Sequence, residues 1–165
     1  MSNKNILRII SIIFVLAWMI TVFMLSHQIA EDSSKTSSNF ITVIIKLFNK
    51  DIGQEQLETI MLKVETIVRK LAHFVLYTLG GMLITIMFIN FKEYITKTKI
   101  TSFLLGATYA ITDEIHQLFI PGRSGEIRDV LIDSTGILLG VFIIYLLMRI
   151  KGMFRSGKEE RRKAN

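Results

Sequence analysis

The chain alternates long apolar blocks with short polar breaks. Near-continuous apolar stretches lie at 6–25, 71–91, 100–120 and 127–150, each about long enough for a helix to cross a hydrocarbon layer of roughly 30 Å. The pattern predicts an all-α integral membrane protein with four transmembrane helices. The third stretch is the least uniform, because Asp113, Glu114, His116 and Gln117 interrupt it. The connection 26–70 carries its own signal. Leu57, Ile60, Met61, Val64, Ile67, Val68 and Leu71 recur at helical spacing with polar residues between them, which predicts an amphipathic helix running into the second span. Segment 40–48 is apolar but too short to cross, and it is expected to lie on the membrane or over its outer face. Gly53 and the polar run 31–39 are the breaks.

Composition agrees with this patterning. The 165 residues are 50% hydrophobic, mean hydropathy is +0.45, and a single proline leaves no obvious inter-domain linker, so one compact membrane domain over 1–165 is expected. Absence of cysteine excludes disulfides and thiolate metal chemistry. The N-terminal run is read as an uncleaved first helix, since no small-residue cleavage site follows Leu25.

The net charge of +6 does not point to nucleic acid, because the basic residues collect at the ends of apolar blocks and in the tail 151–165. With four crossings, the N-terminus, the loop 92–99 and the tail fall on one side, which then holds most of the 20 Lys/Arg and few of the 14 Asp/Glu. The positive-inside rule makes that side cytoplasmic, so the expected topology is N-in and C-in, with the 26–70 segment extracytoplasmic.

Polar side chains at membrane depth carry the functional information, because unpaired charge in hydrocarbon is costly and persists only with partners or a purpose. A rise of about 1.5 Å per residue puts Asp113, Glu114 and His116 roughly 21 to 26 Å above Lys99. The same arithmetic puts Asp133 and Asp129 roughly 24 to 30 Å above Arg149, and Tyr77 and His73 roughly 23 to 29 Å above Lys92. Three helices thereby deliver ionisable groups to one outer layer. Arg69, His73 and Tyr77 repeat every four residues on one stripe, and Asp129 and Asp133 do the same on another. Asp113 shares a face with His116 and Gln117, while Glu114 is rotated by about 100°. The Pro121-Gly122-Arg123-Ser124-Gly125 turn brings Arg123 and Arg128 to the mouth of the same layer.

The elements Leu-Ser-His-Gln at 25–28, Arg-Lys-Leu-Ala-His-Phe-Val-Leu-Tyr-Thr-Leu-Gly at 69–80, Asp-Glu-Ile-His-Gln-Leu-Phe-Ile-Pro-Gly-Arg at 113–123 and Asp-Val-Leu-Ile-Asp-Ser-Thr-Gly at 129–136 occur in one order across most of the chain. In these elements the sequence resembles the VanZ-like membrane proteins of bacteria. It departs from their pattern at Leu76, where a glutamate is common, and at Asp133, where an asparagine is common. The resemblance implies a protein of the bacterial cytoplasmic membrane and cell envelope, in a family whose namesake is linked to low-level teicoplanin resistance. It implies no particular reaction.

Two functional classes use the same residues. The first is a binding protein whose outer-leaflet polar pocket takes an amphiphilic envelope molecule or a lipoglycopeptide antibiotic. Arg69, Tyr77, Gln117, Arg123, Asp129, Asp133, Ser26 and Gln28 would contact it, with arginines on phosphate or carboxylate groups and membrane lipids as the surrounding partner. The second is a membrane-embedded hydrolase or transferase acting on a lipid-linked substrate. There His116 or His73 serves as general base, oriented by Asp113 or Glu114. Two histidines and four acids in this layer leave a catalytic metal open to the enzyme reading, but no known ligand spacing such as His-Glu-x-x-His is present, so no metal or other cofactor is assigned. A purely structural network of buried hydrogen bonds and ion pairs also fits these side chains, and Arg69, Lys70 and Arg123 fit snorkelling or lipid-phosphate contact as well as a ligand role. A transporter is disfavoured, since Thr85 and Thr108 are nearly the only polar groups deeper in the spans.

Overall fold

The computed structural model describes residues 2–27, 43, 54–91, 95–123 and 125–164. These residues form four long α-helices and no strand: α1 Asn3–Ser26, α2 Gln54–Asn90, α3 Ile95–Gln117 and α4 Ile127–Ala164. Gln28, the run 31–39, Gly53 and, apart from Val43, segment 40–48 lie outside the described residues.

Three helical segments are long and apolar enough to cross a bilayer: Asn3–Ser26, Ile67–Asn90 and Ile127–Lys151. Helix α3 spans 23 residues, roughly 35 Å, but its polar content keeps it out of that class. It begins before the expected 100 and stops at Gln117, three residues short of 120. Helix α2 carries the amphipathic 57–71 pattern without a break into the apolar segment, as the periodicity predicts. The basic tail is no separate element, because α4 continues through it to Ala164.

Neighbouring helices run in opposite directions. At one end, Arg8 near the start of α1 donates from Nε to the carbonyl of Asn90, which ends α2, at 3.0 Å. Lys99 near the start of α3 lies over the ring of Tyr145 in α4, 3.3 Å from its centroid. At the other end, Ser26 at the close of α1 meets Asp113 near the close of α3, and Lys70 of α2 meets Asp129 in the first turn of α4. Helix α3 therefore runs between the same two ends as its neighbours.

Helices α2 and α4 make the closest approach, which small residues permit. A Cβ on Gly136 would stand 2.7 Å from the Phe74 carbonyl oxygen, so any larger residue forces the backbones apart. The core is built from Val15, Trp18 and Val22 of α1, Tyr77 and Ile84 of α2, Ala110 of α3, and Ile137 and Val141 of α4. Trp18 packs edge-on against Tyr77 with centroids 5.7 Å apart, and its Nε1 donates to the Leu76 carbonyl at 2.8 Å. The indole thereby satisfies its one polar atom inside an apolar core. Outside the core, side chains such as Phe14, Ile20, Leu131 and Phe142 are more than half exposed, which suits a hydrocarbon surround.

Candidate functional site

The loop from α3 to α4 is set by local chemistry. Arg123 N donates to the Ile120 carbonyl at 3.1 Å, Pro121 and Gly122 are the central residues, and Gly122 has φ 76°. Proline followed by a positive-φ glycine fits a type II turn, in which a side chain at the second position is strained. This turn returns the chain so that Arg123 faces the helix ends.

A pocket of about 530 Å³, counting its open mouth, lies between α2, the turn and α4. Arg69, Lys70 and His73 line it from α2, with Glu114 and Gln117 from α3, Gly122, Arg123 and Glu126 from the turn, and Asp129, Ile132 and Asp133 from α4. Helical spacing accounts for the pairs Arg69 with His73 and Asp129 with Asp133, each four residues apart and so on a shared face.

A hydrogen-bonded lattice joins its lining to the buried side chains Ser26 and Asp113 behind it. Asp113 Oδ2 accepts from Ser26 Oγ at 2.8 Å and from Gln117 Nε2 at 3.2 Å. Glu114, rotated away from Asp113 as the helix geometry predicts, accepts from Gln117 Nε2 at 3.3 Å and from the backbone N–H of Glu126 at 3.0 Å. Gln117 Oε1 accepts from Arg123 at 3.4 Å, and the same guanidinium reaches the Leu25 carbonyl at 3.4 Å. Burial, and after it the nearby Arg69 guanidinium, lowers the pKa of Arg123 from its ordinary value. On the opposite wall, Lys70 pairs with Asp129 and, at 3.3 Å, with Glu126.

Deeper in, His73 Nδ1 stands 3.9 Å from Asp133 Oδ2. Asp133 is 1% exposed, and neither carboxylate oxygen has a hydrogen-bond partner among the described residues. The hydroxyl of the fully buried Tyr77 is likewise without one. Its ring lies 6.4 Å from that of His73.

Of the side chains selected above, Arg69, His73, Glu114, Gln117, Arg123, Asp129 and Asp133 line the pocket, while Asp113, Ser26 and Tyr77 lie buried behind the lining. The structure does not bring in all of them. His116 is not in the pocket wall. Its Nε2 lies 3.2 Å from His27 Nδ1, and its ring packs on Phe23 with centroids 4.5 Å apart. Arg128 is exposed and is not part of this pocket's lining. Sequence reasoning passed over His27; it left Lys70 between lipid-phosphate contact and a ligand role without its partners, and it missed Glu126. The signal for the last two was the pairing of a lysine with acids across a connection, which periodicity within one helix does not reveal.

Chemically, the pocket offers guanidinium groups at its mouth, amide and carboxylate acceptors along one side, and an imidazole with two buried carboxylates below. No curated protein and no solved structure matches the chain. A family model described as VanZ/LLP1 matches residues 11–149, a stretch containing every site residue named here. On that match, with the helices and the polar site it encloses, the chain belongs to the VanZ/LLP1 family.

Proposed function

We propose that the protein is a polytopic receptor of the bacterial cytoplasmic membrane that holds the anionic headgroup of an amphiphilic envelope molecule in an outer-leaflet pocket. One observation carries the reading. Arg69 and Arg123, one from α2 and one from the turn before α4, line a common open pocket. Two guanidiniums lining one pocket favour a phosphate or carboxylate there, which accepts their paired N–H donors. Apolar helix faces beside the pocket suit an acyl chain.

The topology that goes with this reading has four crossings and both termini in the cytoplasm. Helix α3 runs antiparallel to α4 between the same ends, so three crossing neighbours carry it across with its polar end at the pocket. The positive-inside rule then turns the pocket outward. Lipid-linked cell-wall precursors, with a polyprenyl chain on a diphosphate, and acylated glycopeptides such as teicoplanin both combine a long hydrocarbon chain with an anionic group, and either meets the pocket from the outer leaflet. A contribution to teicoplanin-type resistance goes with this reading and rests on the resemblance to VanZ-like proteins, whose namesake is linked to such resistance.

A second reading, a hydrolase or transferase acting on such a lipid, draws on the imidazole of His73 facing Asp133 at 3.9 Å inside the same pocket. One experiment separates the two. Purified protein is incubated with a lipid diphosphate or with teicoplanin, and both bound ligand and released product are measured by mass spectrometry. Saturable binding without product supports the receptor. Product that depends on His73 supports the enzyme, and neither binding nor product removes both.

A further inference from the structure

His73 of α2, Asp113 of α3 and Asp133 of α4 come from three different helices, yet one ligand atom of each lies within 4.8 Å of the others. Their surroundings are unusual for two carboxylates. Asp113 is 3% exposed and Asp133 1% exposed, and Asp133 carries two oxygens without a hydrogen-bond partner among the described residues. The His73 nitrogen at 3.9 Å is beyond hydrogen-bond reach. Burying an acid this deeply without donors is unfavourable unless a cation or a proton compensates it.

We infer that His73, Asp113 and Asp133 form a binding site for a divalent transition metal of the Zn2+ class at the floor of the pocket. One imidazole nitrogen and two carboxylate oxygens suit Zn2+, Mn2+ or Fe2+, whereas Ca2+ and Mg2+ favour all-oxygen shells. Metal bonds of about 2.0–2.2 Å set neighbouring ligand atoms roughly 3.0–3.6 Å apart. The three side chains therefore close in by roughly 1 Å around the ion, a movement within the reach of side-chain rotation. Asp113 is already oriented for this, because Ser26 Oγ and Gln117 Nε2 both bond its Oδ2, the arrangement that outer-shell donors give to a metal-binding carboxylate. The Tyr77 hydroxyl, buried and without a hydrogen-bond partner beside the His73 ring, is a further polar group this site would satisfy.

Three protein ligands leave coordination positions free. His73 and Asp133 also line the pocket, so those positions face it and can accept water or an anionic oxygen of a pocket ligand. The site does not depend on which amphiphile the pocket holds.

The test uses the full chain, purified in detergent, stripped with a chelator and titrated with Zn2+ by calorimetry and with Co2+ by visible absorption. The expected result is one equivalent of Zn2+ per chain, together with Co2+ bands of low-symmetry nitrogen and oxygen coordination. Asp133→Asn and His73→Ala should each weaken Zn2+ binding at least tenfold, while His116→Ala, outside the cluster, leaves it unchanged. Folding is checked by size exclusion and helical circular dichroism. If both cluster variants fail to fold, the wild-type Co2+ spectrum decides alone. Absence of saturable binding by folded wild-type protein, or binding that survives both cluster substitutions, overturns the site and assigns Asp133 a shared proton instead.

Discussion

Ser26 Oγ donates a 2.8 Å hydrogen bond to Asp113 Oδ2, joining the last residue of α1 to the closing turn of α3 with both side chains buried. His116 also meets His27 and Phe23 at this end, but the Ser26 bond is the contact that fixes where the Asp113 carboxylate points. Ser26→Ala removes a donor from a buried acid and leaves that oxygen with Gln117 alone. The expected loss is ~1–3 kcal/mol of stability, seen as a lower unfolding midpoint in detergent. Ser26→Thr, which keeps the hydroxyl, should recover part of it. An unchanged midpoint in Ser26→Ala would show that the bond contributes nothing.

The arginine pair makes a second prediction. Arg69→Ala and Arg123→Ala each remove a charge-assisted contact to an anionic headgroup, worth ~1.5–3 kcal/mol. Each should weaken binding of a lipid diphosphate roughly 10- to 100-fold at unchanged helical content. Lysine at either position keeps the charge but not the planar fork, so it should restore only part of the affinity. Equal affinity in wild type and both alanine variants, measured by calorimetry, would remove the anion from the pocket.

Much of the fold was legible because lipid imposes simple rules. A crossing helix must be long and apolar, and the blocks 6–25, 71–91 and 127–150 announce themselves on that ground alone. The height of the site was legible too. Rise per residue is a constant, so Asp113, Asp133 and His73 could be placed in one layer without any coordinates. Rotation was harder to read. Asp113 and His116 share a helix face and both meet the end of α1, at Ser26 and His27, but that this face turns to α1 and puts His116 outside the pocket lining depends on packing between helices. Cross-helix pairs such as Lys70 with Asp129 were hidden for the same reason.

That difference in rotation separates the two histidines experimentally. His73 lines the pocket and His116 does not, so His73→Ala should impair ligand binding more than His116→Ala. His116→Ala should act instead on the junction with His27 and Phe23, lowering the unfolding midpoint by about 1 kcal/mol or less, as expected for an aromatic contact. Binding isotherms and unfolding curves on the same two samples check this. A His116 variant that folds normally yet loses binding, beside a His73 variant that retains it, would move the functional centre to the His27 side.

The α2–α4 seam gives a stability prediction with a functional echo. Gly136 stands one helical turn after Asp133, and a Cβ there meets the Phe74 carbonyl oxygen at 2.7 Å. Gly136→Ala forces the helices apart at an expected cost of ~1–3 kcal/mol. The same displacement draws Asp133 away from His73, so affinity in the pocket should fall along with the unfolding midpoint. Gly152→Ala, far along α4 in the basic tail, is the control and should change neither.

The orientation of α3 decides whether the pocket meets the outer leaflet, and a chain without cysteine makes that easy to measure. Phe119 in the turn after α3 is 79% exposed, and Lys97 near its start is also exposed. Single cysteines at these positions report opposite ends of one helix against an unreactive background. A membrane-impermeant maleimide should label Phe119→Cys in intact cells and Lys97→Cys only after permeabilisation. The basic residues concentrated at the Lys97 end argue for this sense, since translocating them is the unfavourable alternative. Labelling of both positions from outside would mean that α3 does not cross. Labelling of Lys97→Cys alone would invert the molecule and open the pocket to the cytoplasm, where an extracellular antibiotic or a flipped cell-wall precursor could not reach it.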